Sequence, residues 1–252
     1  MNSPGRWLKS LTGPGLIALA LMVLLADPVT AQEITIDLGN QGSLAARSIQ
    51  LILLVGVLSI VPGLVIMITC FPFIVTVLAI LRQAIGLQQS PPNMLIVSLA
   101  LFLTYFVMEP IFNESWRLGI EPLMSGSIGY EEAFRLIMEP FREFMSGRTD
   151  PDTLTALASL RPDISEAVPI AEQPLSLLVP SFLLSEIAHA FEIGFMVFLP
   201  FLIIDLVVAA VLMSMGMMMV PPAIVSLPFK LAFFVIADGW ALISTALVRS
   251  YF

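Results

Sequence analysis

Charge is scarce in this sequence. Asp, Glu, Lys and Arg make up only 12% of the 252 residues, against 58% hydrophobic, and the mean hydropathy is +0.97. That shortage excludes an ordinary soluble domain and points to a membrane protein. Cysteine is scarcer still. Cys70 stands alone, which excludes an intrachain disulfide framework and a cysteine-based metal cluster; in its apolar run it reads as a small buried hydrophobe. Basic runs are missing and the net charge is -8, so no nucleic-acid partner is expected, because phosphates need a basic patch. No GxxxxGK[ST], GxSxG or GxGxxG pattern occurs, which removes the common phosphate-loop, nucleophile-elbow and dinucleotide signatures. We expect no enzyme and no cofactor. The single histidine, His189, lies in HAFE and lacks the second histidine of HExxH, so no metal site is expected.

What is present is long apolar helix with proline in it. Residues 1–31 read as a signal peptide: Arg6 and Lys9 are basic, 16–26 is apolar, and Val29-Thr30-Ala31 ends in the small residue a signal peptidase needs. The alternative is an uncleaved first anchor. Residues 32–47 form a polar extracytoplasmic lead-in. Residues 49–81 are almost continuously apolar, longer than the roughly 20 of a simple span, and are interrupted at Pro62 and again at Pro72. That leaves one long kinked helix or two shorter ones. A polar, proline-terminated loop follows at 82–93, then an apolar helix over 94–112 that Pro110 breaks or kinks near its end. The first helical hairpin region is thus 48–112. Residues 109–173 carry 12 acids and five arginines; within the outer region 113–174, 130–145 is an amphipathic helix and 147–174 looser. The second hairpin region, 175–252, has an apolar stretch broken at Pro180 and Pro200, a Met-rich turn, and a last helix over 224–248. The two apolar blocks share one plan, a weak repeat signal. The fold class expected is all-α, built from membrane-associated hairpins and long proline-kinked helices.

Ionisable groups inside apolar helices are expensive and must face a partner or a wet cavity. Glu186, His189 and Glu192 are spaced i, i+3, i+6 and fall on one third of a helix surface; Asp205 lies on another face. Lys230 and Asp238 sit in the last helix, where each could pair with the other or across helices. Such groups serve as interhelical glue or as a charge relay. Methionine is unbranched, polarisable and adaptable. MSMGMMMVPP over 213–222 holds Met213, Met215, Met217, Met218 and Met219 around Gly216 and ends in Pro221 and Pro222. The choices are gap filling between helices or an exposed, deformable turn.

LRQAIGLQQSPPN at 81–93 resembles a signature of the FliP family of flagellar export-gate subunits, whose injectisome homologues share the plan. Arg82, Gln83, Gln88, Gln89, Pro91, Pro92 and Asn93 carry that signature. FMVFLPFLIIDLVVAAVLMSMGMMMVPPAIVSLPFKLAFFVIADGW at 195–240 is similar to the family throughout. The resemblance implies a helical oligomeric export gate of five copies with FliQ-like and FliR-like subunits, working with FlhA-like and FlhB-like components. It implies a multi-pass protein of the inner membrane at the flagellar basal body, passing unfolded rod, hook and filament subunits. The five methionines would form a pore gasket, with Gly216 and the two prolines setting its geometry. An injectisome gate and a small-solute transporter are the alternatives. The chain departs from the family where a threonine and an arginine are usual and Pro72 and Phe73 stand, and where Ala188, His189 and Glu192 replace lysine, threonine and glutamine. These departures suggest a rebuilt charge pairing, of His189 with Glu186 or Glu192, or with a partner subunit.

Overall fold

The computed structural model describes residues 41–87, 91–161, 168–217 and 219–252, and every described element is helical. The expected signal peptide, residues 32–40, Gln88, Gln89 and Met218 lie outside them. The chain divides into two units at Val55 and Gly56. The described part of the first unit is the amino-terminal half of α1 (Gln41–Met67), whose side chains from Arg47 to Val55 are exposed.

The second unit holds the remainder of α1 and all later elements. In chain order these are α2 (Phe71–Ile85), α3 (Asn93–Ser115), a π-helical turn (Trp116–Ile120), α4 (Glu121–Met124), α5 (Tyr130–Arg148) and α6 (Pro151–Ala158). A 3-10 turn (Ile170–Glu172) then leads to α7 (Leu175–Ser214), α8 (Pro222–Ile236) and α9 (Gly239–Arg249).

α2 is the centre of the core. Pro72 starts it, where the missing N–H costs nothing, and Gly86 closes it with its N–H on the Gln83 carbonyl at 3.1 Å. Phe73, Ile74, Val77, Leu78, Leu81, Ala84 and Ile85 recur at helical spacing and are buried. Each large side chain among them contributes about 1.5–3 kcal/mol by leaving water, so this one face outweighs any polar bond in the molecule. α2 lies along α7 and also contacts α3 and α8; α5 packs on α3, the π turn and α7, and α6 on α7. Arg142 ties the 3-10 turn to α5 by donating to the Ala171 and Gln173 carbonyls.

Several expected proline breaks are corrected. Pro62 and Pro110 lie inside helices, and α7 runs unbroken through Pro180 and Pro200 over 40 residues. A proline removes one i to i−4 bond, but in apolar surroundings leaving the helix would strand more backbone groups without water. The real break in the first block is the bend at 68–70, just before Pro72, so it is two helices. The last apolar segment is also two helices, bent by 61°. Asp238 adopts a left-handed conformation (φ 48°) at the bend, and α9 then passes so close to Phe234 that a Cβ on Gly239 would lie 2.1 Å from its ring. The expected amphipathic helix is present and longer, Tyr130–Arg148; Phe141 and Met145 are buried and Met138 and Phe144 pack against the core, whereas Phe134 is exposed. The looser stretch after it contains α6, capped by Asp150, whose carboxylate accepts from the Thr153 N–H at 2.8 Å. Three described helices are long and apolar enough to cross a membrane, or four if the bent α8–α9 pair counts as one.

The close contact of α7 with α2 is open to a stability test. A Cβ on Gly194 of α7 would lie 2.4 Å from Ile80 Cδ1 and 3.2 Å from its Cγ2. Gly194→Ala should therefore cost about 1–3 kcal/mol through overpacking, read as a lower midpoint of thermal unfolding in detergent. Adding Ile80→Val, which deletes Cδ1, should recover part of the loss; equal midpoints in all three proteins would contradict this contact.

The α6 cap generates a pH test. The Thr153 hydroxyl, then its backbone N–H, hold the Asp150 carboxyl below its ordinary value of 3.8. A depressed carboxylate stabilises the fold above its unfolded pKa and loses that contribution as pH falls through the folded value. Hydrogen exchange at the Thr153 amide, taken relative to its intrinsic rate at each pH, should accelerate over that acidic window. Asp150→Asn keeps an acceptor that does not titrate, so it should flatten the pH dependence; the same acceleration in that variant would refute the assignment.

Candidate functional site

The carboxyl end of α7 shows how the Met-rich turn is built. Gly216 has φ 73°, its N–H donates to the Met213 carbonyl at 3.0 Å, and the Met217 N–H donates to Leu212 at 3.0 Å. This is a Schellman closure with glycine at the left-handed position. Pro221 and Pro222 then open α8. Met213, Met215, Met217 and Met219 are exposed by 61%, 67%, 42% and 97%, so these four are not filling gaps in the core. Beside them an apolar cleft of about 560 Å³ separates Val207, Val208 and Val211 of α7 from Val225 and Phe229 of α8.

Two charge clusters fix α7 on either side of its middle. In the first, the Glu186 carboxylate is 1% exposed and accepts from Arg148 Nε at 2.9 Å and from the Tyr251 hydroxyl. Arg148 also donates to the Ser250 carbonyl at 3.3 Å and lies 4.4 Å from the centre of the Tyr251 ring. The end of α5, α7 and the segment after α9 therefore meet at one carboxylate. Burial, and then the neighbouring Glu186 charge, push the Tyr251 phenol well above its ordinary range, which keeps it a donor. Cys70, nearby in the core, has its thiol pushed up to about 12 by burial.

In the second cluster, Asp205 accepts from Lys230 Nζ at 2.6 Å and from the Ser226 hydroxyl at 2.6 Å. Lys230 is 6% exposed and also donates to the Ala84 carbonyl in the last turn of α2 at 3.1 Å. Lys230 thus pairs across helices. Asp238, its other candidate partner, sits at the bend between α8 and α9 and makes no side-chain cap bond.

The i, i+3, i+6 triad divides. Glu186 is buried, but His189 and Glu192 have side chains 40% and 62% exposed, with Nδ1 and Oε2 3.5 Å apart. The departures from the family pattern meet in space, because the Phe73 ring stacks on His189 with centroids 5.6 Å apart. Ala188, next to His189 in α7, is exposed. In the signature loop Arg82 donates to Asn93 Oδ1 and to the Pro91 carbonyl, Gln83 accepts the α2 cap bond, and Pro92 precedes α3. Arg148, Tyr251 and Ser226 were not singled out by sequence. An acid in an apolar helix demands a donor, but five arginines in the outer region leave its identity open.

These features define an all-α protein of membrane class, with a methionine-tipped hairpin held by buried ion pairs. A model of the FliP family matches residues 54–247, and the chain belongs to that family. It is 49% identical over 236 residues to the flagellar biosynthetic protein FliP of Caulobacter vibrioides, covering 94% of this chain and 88% of the relative. It is 47% identical to that of Bacillus subtilis over 82% of this chain and 93% of the relative, and 42% identical to that of Aquifex aeolicus over 93% and 98%.

The Glu186 cluster makes an ordered prediction. Removing the cation strands a buried charge, which costs about 3–5 kcal/mol. Arg148→Met should therefore destabilise the protein by that order in chemical unfolding, and Glu186→Gln by less, since the amide oxygen still accepts from Arg148 and Tyr251. The reverse order would contradict the pairing.

Proposed function

We infer that this chain is a channel-forming subunit of the flagellar type III protein export gate, with its Met-rich turn as the seal. Membership of the FliP family makes it a flagellar export component, and its apolar helices give it membrane character. The observation that carries the finer reading is the exposure of four methionines on one glycine-closed turn. One copy cannot enclose anything. Several copies, five by family resemblance, joined by FliQ-like and FliR-like subunits, bring many thioethers together. Thioether side chains re-pack easily, and an apolar constriction limits ions and water by dewetting, so such a ring yields to an unfolded chain and closes behind it. The subunit performs no bond chemistry in this scheme. It positions a deformable aperture at the inner membrane, in the basal body, and FlhA-like and FlhB-like components act with it on rod, hook and filament cargo. The flagellar names of the relatives favour this cargo over virulence effectors.

Replacing Met213, Met215, Met217 and Met219 together by alanine tests the seal. Complex yield should stay normal, while leak of small solutes through the membrane should rise several-fold. A normally assembled complex with an unchanged leak would refute the seal.

A further inference from the structure

The hairpin formed by α7 and α8 has two mechanically different parts. At its base, Asp205 is bonded to both Ser226 and Lys230, and Lys230 reaches on to the Ala84 carbonyl of α2. Three helices are joined through one lysine that is almost wholly withdrawn from solvent. Beyond this point the picture changes. Among the described residues from 206 to 225, no side chain hydrogen-bonds to another element; the Ser214 hydroxyl donates to the Val211 carbonyl of its own helix. Apart from Ser214 the side chains there are apolar, and both arms line the apolar cleft. The tip is closed by a glycine turn and followed by two prolines.

We propose that Asp205 and Lys230 are positioning residues that act as the fixed pivot of this hairpin, setting the separation of its arms while the 206–225 tip moves. The pairing is directional, and its lysine is almost wholly withdrawn from solvent, so it resists shear at the base. A dispersion contact forfeits only about 0.1–0.2 kcal/mol per atom pair, so the tip can slide and re-pack at little cost. The unfilled cleft supplies the room. The bond to Ala84 transfers the position of the pivot to α2, the most buried helix, so the base stays registered to the core when the tip opens. The functional half of this inference rests on the export-gate reading; the pivot itself does not.

The experiment uses the full chain assembled with its co-expressed partners in membranes. Spin labels at Val211→Cys and Ile224→Cys, positions 50% and 68% exposed, report the tip separation; buried Cys70 does not compete for label. The unmodified pivot should give a narrow distance distribution. Asp205→Asn should broaden it at normal complex yield, Ser226→Ala should broaden it less, and Asp205→Glu should restore most of the narrow form. An unchanged distribution in assembled Asp205→Asn overturns the pivot. Should Asp205→Asn fail to assemble, Ser226→Ala decides by the same criterion, because it removes one bond without stranding a charge. Solute leak in the same membranes separates the two levels. Broadening with increased leak supports pivot and gate together, whereas broadening with unchanged leak and export keeps the pivot and removes the gate reading.

Discussion

A charge inside an apolar helix must find its opposite, and two of the three acids on α7 find theirs on other helices. Glu186 and Asp205 are nearly twenty residues apart on one uninterrupted helix, each answered by a cation from a different part of the chain. Burial of the α2 face supplies most of the stabilisation, but apolar contact is tolerant of sliding and rotation. The two ion pairs are not. Arg148 and Tyr251 fix one part of α7 against α5 and the segment after α9, and Lys230 fixes another against α8 and α2. The pairs are therefore better read as devices of register than as sources of stability, since a buried pair gains little over an apolar substitute while a broken one costs much.

From that constraint follows the division of the hairpin. Everything proximal to Asp205 is tied to the core by polar bonds or close helix contact, including the approach of Gly194 to Ile80. The residues distal to it are apolar except Ser214, mostly exposed apart from Leu212, and rich in methionine. A rigid root with a compliant tip is what an aperture needs when it must stay centred yet change diameter. The exposed apolar surfaces elsewhere on α7 and α8 fit the same picture, because surfaces of this size mark assembly or lipid contact.

Composition and hydropathy were enough to read the helical class, the membrane character, the outer amphipathic helix and the Met-rich turn. They misled where proline was taken to end helices. Pro180 and Pro200 look like breaks in a string of letters, yet an apolar environment penalises every alternative to helix, and α7 continues through both. Of the true bends, the one at 68–70 falls where Pro72 marks an interruption in the sequence, whereas the one at Asp238 depends on a close approach to Phe234 that periodicity does not reveal. Long-range partners were the least legible. Lys230 could pair with Asp238 on spacing alone, but Asp205 lies beside it in the fold. Phe73 and His189 were noticed separately as departures from a pattern, and only the packing of α2 on α7 shows that their rings stack.

As a subunit of the export gate, this chain is proposed to pass flagellar subunits across the membrane. The most direct measurement is the secretome of a strain lacking the gene, compared by mass spectrometry with the same strain carrying it in trans. Selective loss of rod, hook and filament subunits from the medium, restored by the gene, is the result this account predicts. Continued secretion of all three under conditions where flagella are built, or loss of another class of secreted protein instead, would contradict it.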